Sequence, residues 1–92
     1  MRRHVNITVR GVVQGVCFRA CTAEQARLRG VAGLVRNEPD GSVYIEAEAE
    51  PGVLGDFIDW CRRGPPSATV DAIEVTDAPV ASYRSFRITY SR

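Results

Sequence analysis

Apolar and polar residues alternate from His4 to Val9, with Val5, Ile7 and Val9 on one side and His4, Asn6, Thr8 and Arg10 on the other. A period of two marks a half-buried strand. Gly11-Val12-Val13-Gln14-Gly15 then breaks the alternation with two glycines. From Phe18 to Arg29 the chain favours helix through Ala20, Ala23, Glu24, Gln25, Ala26, Arg27, Leu28 and Arg29. Its periodicity is weak, so packing must supply most of this helix's stability. Gly30 is the expected stop.

A short apolar stretch from Val31 to Val35 leads into Asn37-Glu38-Pro39-Asp40-Gly41. This is turn chemistry, because Pro presets φ and Asp-Gly tolerates a positive φ. Alternation returns from Val43 to Ala49, with Tyr44, Glu46 and Glu48 on the polar side, so the two runs predict a hairpin. Pro51 suits the first turn of a second helix. Val53, Leu54, Phe57, Ile58, Trp60 and Cys61 then draw the clearest amphipathic stripe in the chain. Gly64-Pro65-Pro66 ends it. Thr69 to Thr76 predicts a strand with Ile73 and Val75 on one face, and Asp77-Ala78-Pro79 a loop. Arg84 to Tyr90 predicts a last strand with Phe86, Ile88 and Tyr90 facing inward.

The order βαββαβ, with the last unit divisible in two, predicts an α+β protein: a ferredoxin-like α/β sandwich. Its four- to five-stranded, mostly antiparallel sheet would carry two helices on one face. The other face would turn Asn6, Thr8, Tyr44, Glu46 and Arg87 to water. Such a fold hosts many functions and decides none.

With 92 residues, 45% hydrophobic and 25% charged, the chain is expected to form one globular domain over 1–92. Twelve basic residues against eleven acidic ones leave a net charge of +1. That balance argues against bulk-charge binding to nucleic acid and leaves room for a local anion site. Every basic residue is Arg, so Schiff-base and Walker-type lysine chemistry is excluded. Arg is the better residue for bidentate contact with a phosphate or carboxylate. No stretch approaches the roughly 18 apolar residues of a membrane span. No apolar run follows the basic Met1-Arg2-Arg3, so no signal peptide is expected. Three Cys favour free thiols in a cytoplasmic protein over a disulfide framework.

The chemistry concentrates in Gly11-Val12-Val13-Gln14-Gly15-Val16-Cys17-Phe18-Arg19, between a strand end and a helix start. Backbone N–H groups turned inward there, with the positive end of the helix dipole, would make an anion cradle. Arg19 could place its fork of donors on the same anion. Spacing alone leaves a second reading open: a glycine-containing connector followed by a surface Arg. Asn37 alone reads equally as a turn residue.

Gly11-x-Val13-Gln14-Gly15-Val16-x-Phe18-Arg19 resembles the first motif of the acylphosphatases. Gly33-Leu34-Val35-Arg36-Asn37-x-x-x-Gly41-x-Val43 resembles the second. The likeness runs from about Val5 to the closing Phe86-x-Ile88-x-Tyr90. It implies hydrolysis of the carboxyl–phosphate bond of small acyl phosphates, with no metal and no cofactor. It implies that Arg19 binds the phosphate, that Asn37 positions the attacking water, and that the backbone from Gly11 to Cys17 forms the cradle. Val12, Val13, Gln14, Gly15 and Val16 are the intervening cradle positions. A monomer acting on a small molecule, with neither nucleic acid nor membrane as partner, is the corresponding expectation. The family usually has an aromatic residue in place of Leu34 and Gly in place of Ala49. These departures bear on local packing and the shape of the substrate entrance. The competing reading is a non-catalytic module of the same fold that binds phosphate or an acyl phosphate.

Other signals are weaker. Cys21 and Arg27 have the Cys-x5-Arg spacing of cysteine-dependent phosphatases, but the intervening Thr-Ala-Glu-Gln-Ala reads as helix interior without Gly. Cys17 and Cys21 are four apart, and only His4 and Cys61 remain as further Cys or His ligands, which argues against a metal site. His4 is expected to be an exposed strand residue. Glu46, Glu48 and Glu50 are expected to keep a sheet surface solvated. Tyr44 alone makes a poor base-stacking platform for RNA.

Overall fold

The computed structural model describes residues 1–90; Ser91 and Arg92 of the expected 1–92 domain lie outside the described residues. The elements run β1 (Arg3–Val12), α1 (Phe18–Arg29), β2 (Ala32–Asn37), β3 (Val43–Ala49), α2 (Pro51–Arg63), β4 (Thr69–Ala78) and β5 (Phe86–Ile88). The sheet order is β4-β1-β3-β2-β5. Among the described residues only β2 and β5 pair in parallel. This is the ferredoxin-like α+β fold that the alternation of elements predicts.

The period-two patterns of β1 and β3 bury Val5, Ile7, Val9, Val43, Ile45 and Ala47 beneath the two helices. α1 adds Phe18, Ala23 and Ala26; α2 adds Leu54, Phe57 and Cys61. Aromatic edges close the layer, with Phe57 against Phe86 at 6.0 Å between centroids and Phe18 against Trp60 at 5.8 Å. Gly30 ends α1 in the left-handed region, and Val31 N–H donates to Ala26 O at 2.8 Å.

Four sequence expectations change. β1 continues through Gly11 and Val12, because a register shift at Arg10/Gly11 lets both pair with β4. Gly11 sits at φ 137°, where a Cβ would lie 2.1 Å from Thr69 O, so only Gly permits this approach. β4 likewise takes in Asp77 and Ala78, expected as loop, because β1 offers partners down to His4. It is an edge strand, so Ile73 is only half-buried and Val75 is exposed.

β5 is limited to Phe86–Ile88, and Tyr90 is exposed rather than inward-facing. Finally, His4 and Glu48 are not solvated: they are 4% and 0% exposed. The reason is the 79–85 segment, which crosses the open face of the sheet. Ala81 and Tyr83 donate their N–H groups to the Glu48 carboxylate. His4 donates from Nδ1 to Glu48 Oε2 at 2.7 Å and stacks on the Tyr83 ring. Glu46 stays half-buried, accepting from the Tyr44 and Tyr83 hydroxyls at 2.8 and 2.6 Å; Glu50 is exposed as expected.

Candidate active site

β1 delivers the chain to a short loop that ends in two left-handed residues, Gly15 (φ 74°) and Cys17 (φ 61°). A left-handed Cys is a strained position of the kind found where backbone geometry serves a site. Cys17 is the N-cap of α1 and makes no side-chain cap bond. The first helical turn carries no acidic residue. The first intrahelical bond is Cys21 N–H to Cys17 O at 3.0 Å. The N–H groups of Phe18, Arg19 and Ala20 therefore lack an intrahelical acceptor. An uncapped helix start with no acidic neighbour is an anion site in waiting.

A pocket of about 190 Å³ opens at this helix start. Gly15, Cys17, Phe18, Arg19 and Ala20 line it from the loop and α1; Asn37 lines it from the end of β2. Val13, Ile88 and Tyr90 supply the remaining, largely apolar, wall. Arg19 is half-buried, with Cζ 5.1 Å from the Tyr90 ring centroid, and forms no ion pair among the described residues. Its guanidinium donors are free for an anion, and the cation–π contact limits where they point. The Asn37 Oδ1 is buried and has no hydrogen-bond partner among the described residues. An orphaned buried acceptor costs stability and wants a donor, such as a water molecule.

The turn after Asn37 is heavily braced. Glu38 N–H donates to Ser42 O at 2.8 Å, and Ser42 donates from N and Oγ to Asp40 Oδ1 at 2.9 and 2.6 Å. These bonds, with one from Arg10 Nη1 at 3.2 Å, hold the Asp40 carboxyl down at about 2. The Arg36 guanidinium, raised by its bond to Glu38 Oε2 at 2.7 Å, lies over the Tyr44 ring.

Of the residues singled out in the sequence, Arg19, Asn37, Val13, Gly15 and Cys17 meet around one pocket. Gln14 and Val16 belong to the same loop without lining it; the Val16 carbonyl accepts from Ser67 Oγ at 2.8 Å. Gly11 and Val12 lie back in β1, and Val12 is 58% exposed. Leu34 and Ala49, where the chain departs from the family pattern, do not touch the pocket. Tyr90 and Ile88 are pocket residues that the sequence reading placed in the core strand. The Cys-x5-Arg spacing assembles no second cradle. Cys21 lies within α1, its thiol pushed up by burial and then by Cys17 and Glu24, while Arg27 donates to Phe86 O. Among the described residues no cluster of three His, Cys, Asp or Glu side chains is placed to hold a metal ion. No helix there is long and apolar enough to cross a membrane.

An uncapped helix start, an Arg with no ion-pair partner among the described residues and a buried amide oxygen thus meet at one pocket on a two-helix α+β sandwich, an arrangement suited to holding an anion such as a phosphoryl group. Known proteins specify it further. The Acylphosphatase family profile matches residues 5–88. An acylphosphatase of Shewanella amazonensis is 48% identical over 90 residues, covering 97% of this chain and 99% of that one. An acylphosphatase of a Nocardioides species is 46% identical, covering 96% and 89%. The crystal structure of acylphosphatase from Bacillus subtilis superposes with a TM-score of 0.93 at 36% identity, covering 98% of this chain and all of that one. The chain belongs to the acylphosphatase family, and its activity is that of an acylphosphatase.

Proposed function

We propose that Arg19 and Asn37 carry the hydrolysis of small acyl phosphates without a metal ion or cofactor. Arg19 and the free N–H groups at the start of α1 bind the phosphoryl oxygens. Asn37 accepts a hydrogen bond from a water molecule through its orphaned Oδ1 and holds it in line with phosphorus. The water oxygen forms a bond to phosphorus as the bond from phosphorus to the acyl oxygen breaks. The electron pair leaves with the carboxylate, and the water's proton passes to phosphate or solvent.

The chemistry asks for little more. The conjugate acid of the leaving carboxylate has a pKa of roughly 4, so it departs without a proton donor. The phosphoryl group passes through a loose, metaphosphate-like state, in which positioning and charge stabilisation dominate. Asn is no base at neutral pH, but an amide orients water well. The observation that carries this reading is the meeting of an unpaired Arg19 and an unpartnered Asn37 Oδ1 at one uncapped helix start.

The enzyme is further proposed to act as a cytoplasmic monomer, as a single domain over 1–92. Both side chains come from one chain, and three free thiols suit a reducing compartment. The test is hydrolysis of benzoyl phosphate in EDTA by the protein, Arg19→Ala and Asn37→Ala. Turnover that survives EDTA and falls at least about a hundredfold in each folded variant is expected. Full activity in either variant removes that residue's role. No turnover by a folded protein that binds inorganic phosphate would favour the non-catalytic module.

A further inference from the structure

We infer that the Gln14 side chain is a positioning residue for the attacking water, acting through Asn37; the inference rests on the role proposed for Asn37. Gln14 sits half-buried in the loop between β1 and α1. Its Nε2 donates to Glu38 O at 2.8 Å and to Ser42 O at 2.8 Å. Both partners are carbonyls, so they dictate which end of the amide faces them, and both of its N–H groups are used.

The two carbonyls stand on either side of the pocket amide in a specific way. Glu38 follows Asn37 directly. Ser42 precedes Val43, the residue opposite Asn37 in the β2–β3 ladder. Gln14 thus grips both strands of the hairpin where Asn37 leaves the sheet. The same loop carries Gly15 and Cys17, which line the phosphoryl end of the pocket. Among the described residues, no other hydrogen bond joins residues 13–17 to the 38–42 turn. The ladders of β1, β3 and β2 set the strands, but this loop lies outside them. Buried Val13 and Phe18 and the Val16–Ser67 bond anchor the loop to the body of the fold, and among the described residues Gln14 is the one hydrogen-bonded tie between it and the turn that follows the water-holding amide.

The turn does not need Gln14 to close. Glu38 O already accepts from Gly41 N–H at 3.1 Å, and Ser42 O already accepts from Glu38 N–H. Gln14 occupies the second lone pair of each oxygen. Removing its amide leaves a satisfied turn and a satisfied hairpin, and loses only the tie. A small misplacement of a positioned nucleophile is costly in rate even when binding is intact.

The experiment uses Gln14→Met, which keeps length and packing, and Gln14→Glu, which presents acceptors to the carbonyls. Each is made in the wild-type chain and in Asn37→Ala, with benzoyl phosphate as substrate. In the wild-type background kcat should fall about 10- to 100-fold while KM stays within about threefold. Inhibition by inorganic phosphate should be unchanged, and Tm should drop by no more than a few degrees. In Asn37→Ala, adding Gln14→Met should change kcat by less than about twofold, since the two residues act in one step. Losses that multiply, or a rise in KM at constant kcat, overturn the assignment of Gln14 while leaving Asn37 standing. Wild-type kcat in Asn37→Ala itself overturns the role of Asn37 and this inference with it.

Discussion

Two polar constellations sit on this small fold and are treated in opposite ways. On the open sheet face, the Glu48 carboxylate accepts from His4, Ala81 and Tyr83, and Glu46 accepts from two tyrosine hydroxyls. At the pocket beside the start of α1, neither an ion-pair partner for Arg19 nor a hydrogen-bond partner for Asn37 Oδ1 is found among the described residues. A satisfied buried network holds a structure together. An unsatisfied one costs stability and persists where something else completes it. The first constellation straps the 79–85 segment to the sheet. The second is the pair of groups proposed above to hold a phosphoryl group and a water molecule.

Substitutions should separate the two. Arg19→Ala should lower kcat/KM for benzoyl phosphate by at least about a hundredfold, with Tm unchanged or slightly raised, because no ion pair is lost. A matching fall in Tm would erase the contrast. Glu48→Gln should do the reverse. It removes the buried carboxylate that accepts from His4, Ala81 and Tyr83 and weakens the strap, costing about 3 kcal/mol, a Tm drop of more than about 10 °C, with kcat nearly intact below Tm. Calorimetry and a turnover assay on the same samples decide this.

Acid should loosen the strap. Burial pushes the Glu48 carboxyl up, but the bonds from His4, Ala81 and Tyr83 outweigh it and hold the group below its ordinary value of 4.5. A carboxyl depressed in the folded state contributes stability that is present above the unfolded pKa and lost as pH falls through the folded one. Asp40, held at about 2 against an ordinary 3.8, adds the same sign over the same window. Tm should therefore decline as pH falls from about 5 toward 2. The decline should be shallower in Glu48→Gln, and an identical slope would remove Glu48 from the explanation.

The same contrast divides what was legible in the sequence from what was not. α2 was legible because its apolar residues recur at helical spacing, and β1 and β3 because theirs alternate. The family likeness, rather than spacing, singled out Arg19 and Asn37, since glycine spacing and a turn Asn each carry a bland reading. Alternation assigns His4 and Glu48 to the polar face. That face is buried there only because a segment more than thirty residues downstream crosses it, a long-range fact no local pattern encodes. Gly11 and Val12 read as loop because a bulge breaks alternation just as a strand end does. Tyr90 continues the Phe86-x-Ile88 period, yet its ring sits against Arg19 and not in the core. Gln14 carries a motif position, but its side-chain partners lie 24 and 28 residues away.

The most direct test of the central claim is a titration with inorganic phosphate followed by backbone and side-chain amide NMR. The account predicts saturable shifts at Gly15 through Ala20 and at the Asn37 side-chain amide, with the His4, Ala81 and Tyr83 signals unmoved. Shifts confined to other parts of the molecule, or none at the start of α1, would contradict it.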